Sequence, residues 1–229
     1  MRHERCVRGG AFLLAALTLF PSGHSRAGDV VYSCATMDKR IALTFDDGPH
    51  PTLTREILGI LREYDVKATF FVVGENASWF PDIVAEEARE GHEIGNHTWS
   101  HANLRRSDAG TVAWEIDEGE RAIWENFEYR TLLLRPPGGC LSDEVVRAAK
   151  ERDYSLVCWS VDTRDWAHTP SDVIVQNVLE GVRGGDILLF HDYISGGSPT
   201  PGALRSLIPE LLRRGYRFVT VSELLDGEG

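Results

Sequence analysis

From residue 41 onward, short continuous apolar runs alternate with segments whose apolar positions recur every three to four residues. The runs are IALTF (41–45), KATFFVV (67–73), HEIGN (92–96), TLLLR (131–135), YSLVCWSV (154–161), DILLF (186–190) and YRFVTV (216–221). They do not alternate strictly, which suits parallel strands covered on both faces. Between the first two, residues 53–63 place Leu53, Ile57, Ile60 and Leu61 on one helical face. Residues 80–90, 109–127, 142–152, 171–182 and 203–215 behave similarly, several opening on Ser or Asp and closing near Gly. Seven strands alternating with six helices predict a single α/β domain, a closed or nearly closed barrel.

The first 27 residues break this rhythm. Arg2, Arg5 and Arg8 precede the apolar stretch AFLLAALTLF (11–20), and Ser25-Arg26-Ala27 puts small residues at the −3 and −1 positions of a cleavage site. That is the outline of a secretory signal, with an uncleaved anchor as the alternative. Ten apolar residues are too few for a comfortable permanent span. The expectation is a signal over 1–27, a catalytic domain over 28–229, and a secreted or cell-envelope location with no stable membrane span after cleavage.

Removing 1–27 moves the net charge from −11 to −14. Such an acidic chain lacks the basic surface that phosphate backbones require, so nucleic acid is not an expected partner. Three cysteines remain, Cys34, Cys140 and Cys158. Cys140 and Cys158 flank one predicted helix and are the natural pair for a disulfide; the alternative is three free small hydrophobes.

Chemistry gathers where the strands end. Asp46-Asp47 follows the first run, His97 the third, Arg135 the fourth, Asp162 and Asp165-Trp166 the fifth, and His191-Asp192 the sixth. In parallel α/β architectures this C-terminal rim carries function. Two adjacent carboxylates at the edge of a core call for a nearby positive charge. His97 and His101 stand four apart; if the loop winds into a helical turn there, both imidazoles point the same way, as two ligands of one ion require. A carboxylate from TFDDG completes a three-ligand site open to water and substrate. An HxxxH pair alone is common; the strand-end carboxylates make it specific. One carboxylate then ligates and its neighbour serves as general base, with His191 in the right layer to be the general acid. His50, His92 and His168 lack such spacing and read as surface or structural residues.

TFDDG, HTWSH, RPPGG, DTRDW and LLFHD, in that order over residues 44–192, resemble the five motifs of the polysaccharide deacetylase family, the NodB-type carbohydrate esterases of family four. The resemblance implies a distorted (β/α) barrel with about seven parallel strands. It implies Asp46 as catalytic base and Asp47, His97 and His101 as ligands of a divalent metal, most often zinc, with cobalt or another divalent ion as the alternative. Arg135 matches the arginine that orients the base, and Asp165 the carboxylate that keeps the acid, His191, charged. Trp166 matches the wall of the acetyl pocket and Leu189 its floor. Gly138 stands where many relatives carry an aromatic residue; its N–H can still meet an oxyanion, and the lost bulk implies a wider or differently shaped cleft. Asp162 reads as a structural partner.

The implied reaction is N-deacetylation of hexosamine residues in a polysaccharide or oligosaccharide partner, peptidoglycan before chitin, with release of acetate. Two alternatives stay open: an O-acetyl esterase such as an acetylxylan esterase, and an inactive carbohydrate-binding protein. Oligomeric state is not legible.

Overall fold

The computed structural model describes residues 28–36, 38–127 and 130–226, so the signal expected over 1–27 lies outside the described residues. The strands are β1 (Val30–Val31), β2 (Arg40–Asp46), β3 (Thr69–Val72), β4 (Glu93–Asn96), β5 (Leu133–Leu134), β6 (Ser155–Val157), β7 (Val161–Asp162), β8 (Ile187–His191) and β9 (Arg217–Phe218). They pair in parallel in the order β1-β6-β5-β4-β3-β2-β8-β7, with β9 on the start of β2. The sheet curls until its ends meet: Ser33, after β1, bridges Asp186, before β8. This is the nearly closed barrel that the alternation predicts, distorted as the resemblance implies, with nine strands among the described residues rather than seven.

The two extra strands come from a split run and from a short strand before the first run. The run 154–161 serves two neighbours: β6 lies between β1 and β5, whereas β7 pairs β8. At the crossing, the Cys158 carbonyl accepts from Arg135 Nη2 and Ser160 N–H donates to the Ile187 carbonyl. A two-residue β1 also precedes the first predicted run.

At 216–221 only Arg217–Phe218 is strand. Thr220 N–H donates to Glu223 Oε2 at 2.9 Å and Glu223 N–H to Thr220 Oγ1 at 3.3 Å. This reciprocal capping box starts a helix at Val221.

The helices are α1 (Leu53–Glu63), α2 (Gly74–Trp79), α3 (Pro81–Arg89), α4 (Ala109–Phe127), α5 (Asp143–Glu151), α6 (Ser171–Gly181), α7 (Thr200–Arg213) and α8 (Val221–Asp226). α2 and α8 are the two that periodicity did not predict, each only six residues long. The predicted caps hold at α4, where Asp108 Oδ1 accepts from Thr111 N–H, and at α5, where Ser142 Oγ accepts from Val145 N–H. None of these helices is long and apolar enough to cross a membrane.

β2 shows how the barrel divides its space. Ile41, Leu43 and Phe45 face outward and pack with Phe70, Phe190 and residues of α1 and α7. Phe45 stacks on Phe70 with ring centroids 5.0 Å apart. The alternate residues Ala42, Thr44 and Asp46 face inward. At the N-terminal edge of the strands the interior is apolar, with Ala42, Phe71, Leu133, Val157 and Ile187 closed off by Val221 and Leu224 of α8. Toward the other edge it turns polar, and there Arg135 fills it. Cys34, Cys140 and Cys158 are buried thiols; the Cys140–Cys158 bridge does not form, and Cys34 and Cys140 pack as small apolar groups.

Candidate active site

Arg135 follows β5 and is fully buried. Its guanidinium donates Nε–H to the Val157 carbonyl at 3.0 Å and Nη2–H to the Cys158 carbonyl at 3.0 Å. Nη1 donates to Thr44 Oγ1 at 2.8 Å and to Asp46 Oδ1 at 2.6 Å. Phe71 lies beneath it, 4.1 Å from the guanidinium carbon. All three nitrogens are used, so both the position and the charge of Arg135 are fixed. The buried Asp46 carboxylate, 3% exposed, thereby has its counter-ion.

Asp47, with φ 76°, turns away from the strand in a left-handed conformation. Its Oδ1 lies 3.0 Å from His101 Nε2 and 3.3 Å from His97 Nε2. His97 Nδ1 faces the Arg135 carbonyl at 2.6 Å; a carbonyl only accepts, so Nδ1 carries the proton and Nε2 turns its lone pair to the site. One donor atom from each of Asp47, His97 and His101 lies within 4.8 Å of the others. Two imidazoles and one carboxylate converging on one point fit a divalent ion with open positions. Burial alone would raise the Asp47 carboxyl, but a hydrogen bond from His101 and the nearness of the His97 imidazole hold it well below the usual carboxylate range. Asp46 Oδ2 stands 3.7 Å from His97 Nε2, beside this cluster.

His191 ends β8 in register with Asp46 of β2. Its Nδ1 meets Asp165 Oδ1 at 2.8 Å. Burial would lower the imidazole, yet the bond to Asp165 and the charges of Asp165, Asp46 and Asp47 push it up to about 9. Asp165 is fully buried and takes three more donors: His191 N–H at 2.8 Å, Trp166 N–H at 2.9 Å and Thr200 Oγ1–H at 2.6 Å.

The remaining predicted substrate-facing residues lie on β8 and on the turns after β5 and β7. Trp166 is half exposed and donates its Nε1–H to Asp162 Oδ1 at 3.3 Å. Leu189 is buried in β8, its carbonyl accepting from Thr163 Oγ1 at 2.7 Å. Gly138 has φ 61°, and a Cβ there would meet nothing within 4 Å. His50 caps α1, its Nδ1 accepting from Thr52 and Leu53 N–H. His92 accepts from Ala68 N–H, and burial lowers it to about 4. The exposed His168 ends the Asp165–Ala167 turn in a left-handed conformation.

Sequence reasoning missed three supports. Thr200, from the first turn of α7, reaches Asp165. Asp192 accepts from Gly48 N–H at 3.0 Å and from Thr54 Oγ1 at 2.6 Å, clasping the turn after Asp47 to α1. Gly48 is obligatory there, because a Cβ would stand 1.9 Å from Asp192 Oδ2. Glu115, a buried carboxylate of α4, holds the loop between the two histidines. Of these only Asp192 had a sequence signal, its place in LLFHD.

A parallel barrel with an Asp-His-His cluster, a neutralised carboxylate and a charged histidine at one rim defines a hydrolase site. Residues 34–157 match the polysaccharide deacetylase family, and the chain belongs to it. It is 44% identical over 200 residues to a peptidoglycan-N-acetylglucosamine deacetylase of Bacillus cereus, covering 86% of this chain and 93% of that one. It is 37% identical over 190 residues to the peptidoglycan-N-acetylglucosamine deacetylase PgdA of Listeria monocytogenes, covering 83% of this chain and only 40% of that longer protein. A crystal structure of a peptidoglycan N-acetylglucosamine deacetylase, in complex with 4-naphthalen-1-yl-N-oxidanyl-benzamide, superposes with a TM-score of 0.83 at 38% identity, over 86% of this chain and 92% of that one. The chain is thus a hydrolase of the polysaccharide deacetylase type.

Proposed function

We propose that the protein removes the N-acetyl group from N-acetylglucosamine residues of peptidoglycan, outside the cytoplasm, using a divalent metal held by Asp47, His97 and His101. Zinc suits two imidazoles and one carboxylate, and cobalt accepts the same donors. When bound, such an ion lowers the pKa of water and polarises the acetyl carbonyl. Asp46, oriented by Arg135, accepts a proton from the attacking water. The Gly138 N–H, on open backbone, is available to the developing oxyanion. His191, kept cationic by Asp165, donates its proton from Nε2 to the departing amine nitrogen, so acetate and a free amine leave. Trp166 and Leu189 enclose the acetyl methyl.

One observation carries this reading: an anionic carboxylate and a cationic imidazole in register on β2 and β8, beside a three-ligand cluster. Peptidoglycan is favoured by the match to nearly the whole length of the Bacillus cereus enzyme. The secretory pattern of residues 1–27, with the domain beginning at 28, supports action in the cell envelope.

The test is acetate release from peptidoglycan fragments, acetylated chitooligosaccharides and acetylated xylan, each with and without a chelator. Chelator-sensitive release, fastest from peptidoglycan, is expected. Release from xylan alone would make the protein an O-acetyl esterase. None from any substrate, with zinc bound, would make it a binder.

A further inference from the structure

The loop 97–101 that carries both histidines is held from outside by a single carboxylate. We infer that Glu115 is a positioning residue for the Asp47–His97–His101 cluster, setting both imidazoles to face Asp47 before an ion arrives; this rests on the metal reading above.

The loop needs such a holder. Thr98 and His101 both adopt left-handed backbone, φ 67° and 57°, which side chains other than glycine take up only at a cost. His97 is anchored twice over, by its place beside β4 and by the Arg135 carbonyl at its Nδ1. The His101 side chain is 44% exposed, and Asp47 is its hydrogen-bond partner among the described residues. Its position therefore depends on the course of the backbone before it.

Glu115 fixes that course. Its Oε2 accepts from Trp99 N–H at 3.1 Å and Ser100 N–H at 2.9 Å, and its Oε1 accepts from the Ser100 hydroxyl. The other loop groups are also spoken for: Thr98 N–H donates to Asn96 Oδ1 at 2.8 Å. The Thr98 and Trp99 carbonyls accept from Gly74 and Glu75 N–H, each at 2.9 Å, at the start of α2.

The helix bearing Glu115 presses unusually close. One turn further along α4, a Cβ on Gly119 would stand 2.5 Å from Asn96 Oδ1 and 2.9 Å from the Thr98 carbonyl carbon. Gly119 thus lets α4 approach and Glu115, four residues earlier on the same face, grips the loop. Glu115 is 3% exposed, and among the described residues it forms no ion pair with Lys or Arg. Its charge is directed to the two amides and the hydroxyl of this loop.

The test titrates metal-free wild type, Glu115→Gln and Glu115→Ala with zinc against a competing chromophoric chelator. Circular dichroism and Tm of the metal-free proteins are recorded alongside. Glu115→Ala should weaken zinc binding about 10- to 100-fold, with acetate release recovering as zinc is raised. Glu115→Gln, which keeps the volume but not the charge, should fall between the two. A purely structural role would lower the metal-free Tm and leave zinc affinity untouched, and that result would overturn the proposal. Should Glu115→Ala not fold, zinc affinity of Glu115→Gln within twofold of wild type would overturn it equally. Wild type that binds no zinc would remove the metal reading and this inference together; tight wild-type binding with unaffected variants would sink the inference alone.

Discussion

The two sides of the rim are built differently. On the side of the proposed chemistry, the groups that orient the base and the acid are buried and held by several partners. Arg135 is fully buried with four donated bonds, and Asp165 is fully buried with four accepted ones. On the side that would meet the sugar, Trp166 is 51% exposed and Gly138 faces open space. Groups that must keep a set pKa and angle are over-determined by the scaffold, because small displacements there are costly. Groups that select a substrate sit on short turns and are free to vary without disturbing the barrel.

The contrast yields graded expectations. On the buried side, Asp165→Asn removes the anion that keeps His191 charged. Turnover should fall about 10²-fold or more. The sign of the pH effect follows from His191 being raised to about 9. The imidazolium, and the stability it contributes, are fully present below its unfolded value and are lost as pH rises through about 9. The alkaline limb of the wild-type rate should therefore fall near 9, and in Asp165→Asn it should move down by roughly one unit or more. A limb that stays in place would separate Asp165 from the acid.

On the open side, Trp166→Ala should raise KM for the acetylated sugar roughly five- to tenfold with kcat and Tm little changed. A fall in Tm comparable to that of a core substitution would erase the distinction between the two sides.

The barrel was legible because long apolar runs and long amphipathic helices carry strong periodic signals. α1 and α4 lie where the period placed them, at Leu53–Glu63 and Ala109–Phe127. Short elements were not. α2 and α8 span six residues each, too few for a period to register. The start of α8 was marked instead by Thr220 and Glu223, a capping box that the apolar run 216–221 masked.

The site was legible at its strand ends, since topology alone brings those residues together. The structure gathers Asp46, Asp47, His97, His101, Arg135, Asp165 and His191 at one rim. Their supports were not legible: Thr200 is 35 residues from Asp165, and Glu115 lies 15 from Ser100 on another element. Only the fold sets those pairs in contact.

The central claim is the division of labour between adjacent carboxylates, Asp47 as ligand and Asp46 as base. Asp46 Oδ2 and Asp47 Oδ1 lie 3.7 and 3.3 Å from the same His97 nitrogen, so proximity does not separate them. The direct measurement is zinc stoichiometry and acetate release on Asp46→Asn, beside wild type. The account predicts that zinc stays bound one per chain while turnover falls about 10²- to 10⁴-fold. Loss of zinc from Asp46→Asn, or undiminished turnover with zinc in place, would contradict it.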